Sequence, residues 1–320
     1  MLSPGLAFAQ EPLGPTEGPI EGAGIVGGYT TDTAGNHSVN NYWIEGDTGV
    51  IAIDAHWRLS DARRALEQLR DRSGKPIGAL VPTHPHTDHF GGASVFLESG
   101  EDIPYFASAW SARSMSNDEN GFIANRQDQF GEDFPAEIPI PDRIVEQDGP
   151  LAIDGVTFEA RLLRQNEAVE TMVLYLPQER AFFTGDLVNA HTFPVLYQGG
   201  LDSWIAQLHQ LRETFPEAET IYPGHGAPGP FKELVADEIA ILEAHRDVIS
   251  AALEDDGAVS DEELAAITAD LEARFPEFRT TAGIASRAQV IENNVDWILR
   301  GWRVEDSGAG NAREFREEGE

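Results

Sequence analysis

The densest chemistry in the sequence is the run Thr83-His84-Pro85-His86-Thr87-Asp88-His89, which sets three imidazoles and a carboxylate within six positions as H-x-H-x-D-H. Imidazole and carboxylate together are ligands that suit zinc. A turn leaving a strand aims alternate side chains at one point while the next two turn toward a neighbouring point. The spacing therefore suggests two adjacent metal ions. A polar loop whose histidines only hydrogen-bond solvent is the competing reading, and three imidazoles this close together argue against it.

Elements able to position such a run are legible around it. A buried strand, Ile77–Val81, leads straight into the motif. Before it, apolar and β-branched residues at 41–45 and 50–54 flank the turn formers Gly46-Asp47-Thr48-Gly49, which predicts a hairpin. Ala62, Ala65, Leu66 and Leu69 recur at helical spacing over 60–72, behind Ser60 as a cap. The stretch 114–141 keeps no period and reads as a long loop with short helical pieces. Strands return at 151–153, 156–163, 171–176 and 181–184, with Asp154-Gly155 and Pro177-Gln178-Glu179-Arg180 as turns, and predict a second sheet. Helices are expected at 203–214, Phe231–Leu253, 260–274 and 287–302. Strands followed by helices in both halves, without an internal repeat, make the chain α/β.

The motif resembles that of the metallo-β-lactamase superfamily, and the likeness runs over residues 25 to 300 or so. It implies a four-layer αββα sandwich with a dinuclear metal site at one edge of the two sheets, here followed by a helical C-terminal extension. Phe183-Thr184-Gly185-Asp186 looks like the strand that ends in the metal-bridging Asp, and Tyr222-Pro223-Gly224-His225-Gly226 looks like the last His of the second metal. Where most members carry a third His, this chain has Glu167, with Glu170 as a competing candidate. The resemblance thus implies one metal on His84, His86 and Glu167 and another on Asp88, His89 and His225, bridged by Asp186, with Asp88 and Asp186 serving catalysis.

A Glu in that place resembles alkylsulfatase-like members, although those tend to carry Glu at the bridging position and further C-terminal domains for which this chain is too short. Asp54 stands where members often place a carboxylate that hydrogen-bonds a ligand imidazole; as an Asp at a strand end it is equally a turn former. His56, Trp57, His191, Phe193 and Tyr197 lie on loops expected to leave the metal edge, which makes them candidates for a substrate pocket. His37, His209 and His245 show no partner pattern, and the last two fall within helices as structural residues.

Composition narrows the function. Of 320 residues 41% are hydrophobic and none is cysteine, so a sizeable core forms without disulfides, and cysteine-ligand zinc β-lactamases are excluded. With 55 acidic against 22 basic residues the net charge is −33, which repels phosphate backbones and argues against nucleic acid as a partner. No apolar run approaches the roughly 18 residues of a membrane span. Leu6-Ala7-Phe8-Ala9 before Gln10 has the shape of a signal-peptidase site. Residues 1–24 are accordingly expected to be a signal remnant and flexible lead-in, 25–303 the domain and 304–320 a disordered acidic tail. A periplasmic or secreted location is expected, with the cytoplasm as the alternative.

The leading expectation is a dinuclear zinc hydrolase that uses a metal-bridging hydroxide on a small ester or lactone. β-Lactam and alkyl sulfate hydrolysis are alternatives. No Lys or Arg cluster beside the motif supports an anionic glutathione conjugate. From other classes, a mononuclear iron enzyme oxidising sulfur compounds or a non-catalytic metal-binding protein remains, with Fe or Mn in place of zinc. The oligomeric state is left open.

Overall fold

Side chains alternate across a strand, so a strand buried on both faces feeds two separate cores, and this alternation builds the layers of the molecule. The computed structural model describes residues 18–22, 24–32, 38–118, 121–198, 200–253, 258–280 and 284–306. Strands β1 (Gly18–Glu21), β2 (Val26–Asp32), β3 (Ser38–Glu45), β4 (Val50–Ile53) and β5 (Ile77–Val81) form one sheet in that order. β6 (Phe106–Ser108) and β7 (Arg143–Val145) make a short parallel pair. The second sheet takes β8 (Gly149–Ile153), β9 (Val156–Arg164), β10 (Glu170–Leu176), β11 (Ala181–Gly185), β12 (Thr220–Pro223) and β13 (Gly229–Pro230), each beside the next.

Tyr42, Ile44, Ile51, Ile53, Ala79 and Val81 of the first sheet meet Phe158, Met172, Leu174, Leu176 and Phe183 of the second in a shared central core. The residues between them point the other way. Trp43, Val50, Ala52 and Leu80 pack on Ala62, Ala65 and Leu69 of helix α1 (Leu59–Ser73). Val173, Tyr175 and Phe182 pack into a cluster that holds Trp204 and Leu208, Val235 and Leu242, Leu271, and Val290 and Ile291. The arrangement is the expected αββα sandwich, its C-terminal helices lying on the second sheet.

The helices in chain order are α1, α2 (Thr87–Phe90), α3 (Ala93–Leu97), α4 (Ala109–Asn117), α5 (Phe122–Phe130), α6 (Leu201–Thr214), α7 (Phe231–Leu253), α8 (Asp261–Arg274) and α9 (Arg287–Asp306). None among the described residues is long and apolar enough to cross a membrane.

Several expectations need correction. The stretch 114–141 is not mainly loop: it holds the end of α4 and all of α5, whose short amphipathic turns are blurred by interleaved charges. Ser60 does not cap α1, which starts at Leu59; instead Asp133 accepts hydrogen bonds from the Ser60 N–H at 2.8 Å and hydroxyl at 2.7 Å. Part of the supposed lead-in, Gly18–Glu21, is an edge strand paired antiparallel with β2. β2 itself escaped notice because Gly27 and Gly28 dilute its pattern. A Cβ on Gly27 would lie 2.3 Å from the Trp43 indole nitrogen, so glycine there lets the neighbouring strand approach. At the other end α9 carries 304–306 in helix. The remainder of the predicted tail, the Ala7-Phe8-Ala9 site and His37 lie outside the described residues.

Topology places the chemistry. Within each sheet one pair of neighbours is parallel through a helical crossover, β4 with β5 and β11 with β12. Parallel neighbours present their C-terminal ends at the same edge, where loops and their side chains converge. Asp54 follows β4, His84 follows β5, Asp186 follows β11 and His225 follows β12. β10 runs antiparallel to β11, so the β9–β10 turn that carries Glu167 comes to that edge too.

Candidate metal centre

Two groups of potential ligands stand at this edge: His84, His86 and Glu167 in one, Asp88, His89, Asp186 and His225 in the other, with ligand atoms of each group mutually within 4.8 Å. In the first, Glu167 Oε2 lies 3.1 Å from His86 Nδ1 and 3.5 Å from His84 Nε2. In the second, His225 Nε2 lies 3.1 Å from Asp186 Oδ2 and 3.2 Å from Asp88 Oδ2, while Asp186 Oδ1 lies 3.3 Å from His89 Nε2. The His84 and His89 rings, one from each group, have centroids 4.0 Å apart, so the groups adjoin.

Hydrogen bonds behind the ligands decide which nitrogen each ring presents. Asp54 accepts from the Thr83 amide at 2.7 Å, from the Thr83 hydroxyl at 3.0 Å and from His89 Nδ1 at 2.9 Å. Its backbone takes a positive φ of 59°, which turns the carboxylate inward. His89 therefore carries its proton on Nδ1 and offers Nε2. The Thr83 hydroxyl, having given its proton to Asp54, accepts from His84 Nδ1 at 3.1 Å, so His84 also offers Nε2. Gln198 Oε1 takes the Val169 amide at 2.8 Å and His86 Nε2 at 3.3 Å, which leaves His86 offering Nδ1 toward Glu167. Gln198 had no motif to announce it.

The two sheets are tied together beside His225. Asn40 Nδ2 reaches the carbonyls of Pro223 at 2.9 Å and Gly226 at 2.8 Å, and the Tyr42 hydroxyl donates to Pro223 at 2.7 Å. Gly224 is glycine for a local reason: a Cβ there would sit 2.2 Å from Asp186 Oδ1 and 2.7 Å from His89 Cε1.

Several ligand atoms that point into the groups are buried and make no hydrogen bond, facing only one another across ion-pair distances, namely His84 Nε2, His89 Nε2, Glu167 Oε2 and Asp186 Oδ1. Buried polar groups are seldom left unsatisfied, and converging lone pairs of imidazole and carboxylate are satisfied by a cation. Charge tells the same story. Burial alone would raise Asp186, but His225 and His89 hold its carboxyl well below the usual range. Burial alone would lower His225, yet Asp186 and Asp88 push it up to about 10. Burial raises Glu167 despite the offset from His86, and Glu167 in turn holds His86 up against burial. Protons retained in this way are the ones a bound cation displaces. The residues present fit two divalent metal ions.

The structure separates the two candidate glutamates: Glu167 faces His84 and His86, whereas Glu170 accepts from Arg164 Nε at 2.8 Å. Most pocket candidates point elsewhere. His56 takes φ 61°, is fully buried with its ring edge-on to Tyr29, and burial lowers it to about 3. Phe193 is buried in the core of the C-terminal helices, and His191 is an exposed residue paired with Asp237 at 3.4 Å. Trp57 is buried, donating to the Thr87 hydroxyl at 3.0 Å beneath Phe130. Tyr197 alone reaches the rim, packed on Phe122, whose ring meets His86 with centroids 5.6 Å apart. His245 is buried and bonded to the Ile241 carbonyl, in keeping with a structural role.

Residues 34–225 match the family model of the metallo-β-lactamase superfamily, and the chain belongs to that family. Among curated proteins it is 28% identical over 186 residues to the 2,4-dinitroanisole O-demethylase subunit alpha of Nocardioides sp. (strain JS1661), covering 57% of this chain and 51% of that one. It is 27% identical over 240 residues to the linear primary-alkylsulfatase of Pseudomonas sp. (strain ATCC 19151), covering 65% and 44%. The chain spans about half the length of these two relatives. Among solved structures, a double mutant of the sec-alkyl sulfatase PisA1 shares the fold with TM-score 0.64 at 20% identity, covering 89% of this chain and 50% of that one.

Proposed function

We propose that this chain is a metal-dependent hydrolase that cleaves a small carboxylic ester or lactone with two divalent ions, zinc in the first instance. The observation that carries the reading is the pair of adjoining ligand groups whose buried atoms, without hydrogen bonds, converge at one sheet edge. Two such cations polarise a scissile carbonyl and make water nucleophilic near neutral pH, so no serine or cysteine nucleophile is needed. The chain's own part is preorganisation. Asp54 fixes two ring tautomers at once, Gln198 fixes a third, and Asp186 offers one oxygen toward each imidazole of its group. Glu167 adds a negative charge that an imidazole would not, which lowers the net positive charge of the centre.

Sulfate ester hydrolysis is the second reading, favoured by the carboxylate at Glu167 and by the alkylsulfatase relative. The test is turnover of p-nitrophenyl acetate, a γ-lactone, p-nitrophenyl sulfate and a chromogenic β-lactam by zinc-loaded protein. Ester or lactone turnover lost on chelation and restored by zinc supports the leading reading. Turnover confined to the sulfate moves the assignment to the second, and no turnover of any substrate contradicts both. One iron per chain in protein purified without added metal would point instead to oxygen chemistry.

A further inference from the structure

Among the ligands, His86 and Asp88 are the least buried, their side chains 13% and 11% exposed against 0% for His84 and His89. The centre therefore opens on the side where α5 lies. Phe122, at the start of α5, packs on His86 and on Tyr197, which packs in turn on Trp297 with centroids 5.5 Å apart. One turn further along the same face is Arg126, its guanidinium 4.5 Å from the centroid of Trp57. Trp57 is anchored to Thr87, the residue before Asp88, so the ring that carries Arg126 is tied to the segment bearing the more exposed ligands.

Arg126 is half-buried and, among the described residues, hydrogen-bonds only neutral side-chain amides, those of Asn125 and Gln129. Its Nε is buried and has no acceptor among the described residues. Nor do the described residues place a carboxylate within ion-pair distance, in a chain with 55 acidic residues. Arginine stays protonated, and its planar fork matches a carboxylate or sulfate. Burial lowers the guanidinium and Asp88 partly offsets this. A metal ion on Asp88 would leave the cation of Arg126 facing incoming substrate.

Given the hydrolase reading above, we propose that Arg126 is a specificity-determining residue: the substrate is an anionic ester whose carboxylate or sulfate is received by Arg126 while Phe122, Tyr197 and Trp297 flank its apolar body. The sequence offered no basic cluster near the motif because this cation arrives from α5, outside any metal-ligand pattern.

The test compares zinc-loaded wild type with Arg126→Gln, which keeps part of the stem over Trp57, and with Arg126→Lys, on three esters with one leaving group. These are p-nitrophenyl acetate (neutral), p-nitrophenyl hemisuccinate (carboxylate) and p-nitrophenyl sulfate. Metal content and melting temperature control for folding. The ratio of kcat/KM for hemisuccinate over acetate should fall about tenfold or more in Arg126→Gln, mainly through KM, with Arg126→Lys between. The sulfate is itself the scissile group, so a parallel loss on it means that Arg126 also reads an anion at the reacting centre, and loss on the hemisuccinate alone means that it reads a remote carboxylate. An unchanged ratio for both anions in both folded variants overturns the proposal. Should no ester turn over, the hydrolase reading fails separately. Calorimetric binding of 4-phenylbutyrate, with 4-phenylbutanol as neutral control, then decides: a preference for the anion lost in Arg126→Gln supports the role, and equal binding by both proteins overturns it.

Discussion

A single carboxylate, Asp54, orients ligands in both metal groups, through His89 directly and through the Thr83 hydroxyl to His84. Partners of this kind typically govern metal affinity by 10–100-fold. Asp54→Ala is accordingly expected to weaken binding of both metals by about that factor, read by competition with a chromogenic chelator; loss at neither site would mean that the rings are oriented by packing alone. The candidate ligands written in one run, His84, His86, Asp88 and His89, stand out in the sequence because a strand exit converts spacing into direction. Asp186 and His225 were proposed from the resemblance to the superfamily. Glu167 and Glu170 were not separable, since the register of an irregular turn follows from contacts rather than periodicity. The same cause misdirected His56, whose left-handed backbone turns the ring into the core, and Phe193, whose loop dives under α7 and α9. Arg126 and Gln198 belong to no pattern and became visible only in three dimensions.

At the scale of elements, β3 to β5 and β8 to β11 were readable from apolar and β-branched runs between turn formers, and the layers follow once the odd and even residues are assigned to their separate cores. β2, with its paired glycines, was missed because its local signal is weak, and the interleaved charges of α5 left only short helical pieces legible over 114–141. Across the sheets, Asn40 on β3 holds the chain on both sides of His225 through the Pro223 and Gly226 carbonyls. The Pro223 carbonyl keeps the Tyr42 hydroxyl, but the Gly226 carbonyl loses its donor at a cost of about 1–3 kcal/mol, so Asn40→Ala should lower unfolding stability by that amount in urea and loosen the metal at His225. An unaltered denaturation midpoint would contradict the clamp. α7 carries a pH-dependent element in His245, which burial pushes down to about 4. Below the unfolded value of about 6.5 the unfolded chain takes up a proton that the native state does not. This contribution is full above pH 6.5 and is lost as pH falls toward 4, at about 1.4 kcal/mol per pH unit. Chelated His245→Gln should thus lose less stability than chelated wild type between pH 6.5 and 4.5. Parallel curves would show that His245 titrates normally.

The whole molecule carries a net charge of −33, so its carboxylates repel one another across the surface. Raising salt from 0.1 to 1 M shortens the screening length from about 10 to about 3 Å, and the melting temperature should climb over that range; a flat response would mean that the charges are already balanced locally. Acidity and the metal centre are linked at this scale, because three anionic ligands packed beneath two sheets are stable together chiefly when cations sit between them. The central claim is that the chain holds two metal ions, the first of them through Glu167. Its most direct measurement is the metal content of purified, zinc-equilibrated protein by mass spectrometry of the elements, for the wild type, Glu167→Ala and Glu170→Ala. Two zinc ions per chain are expected in the wild type and in Glu170→Ala, and one in Glu167→Ala. Two ions retained by Glu167→Ala, or fewer than two in the wild type, would contradict it.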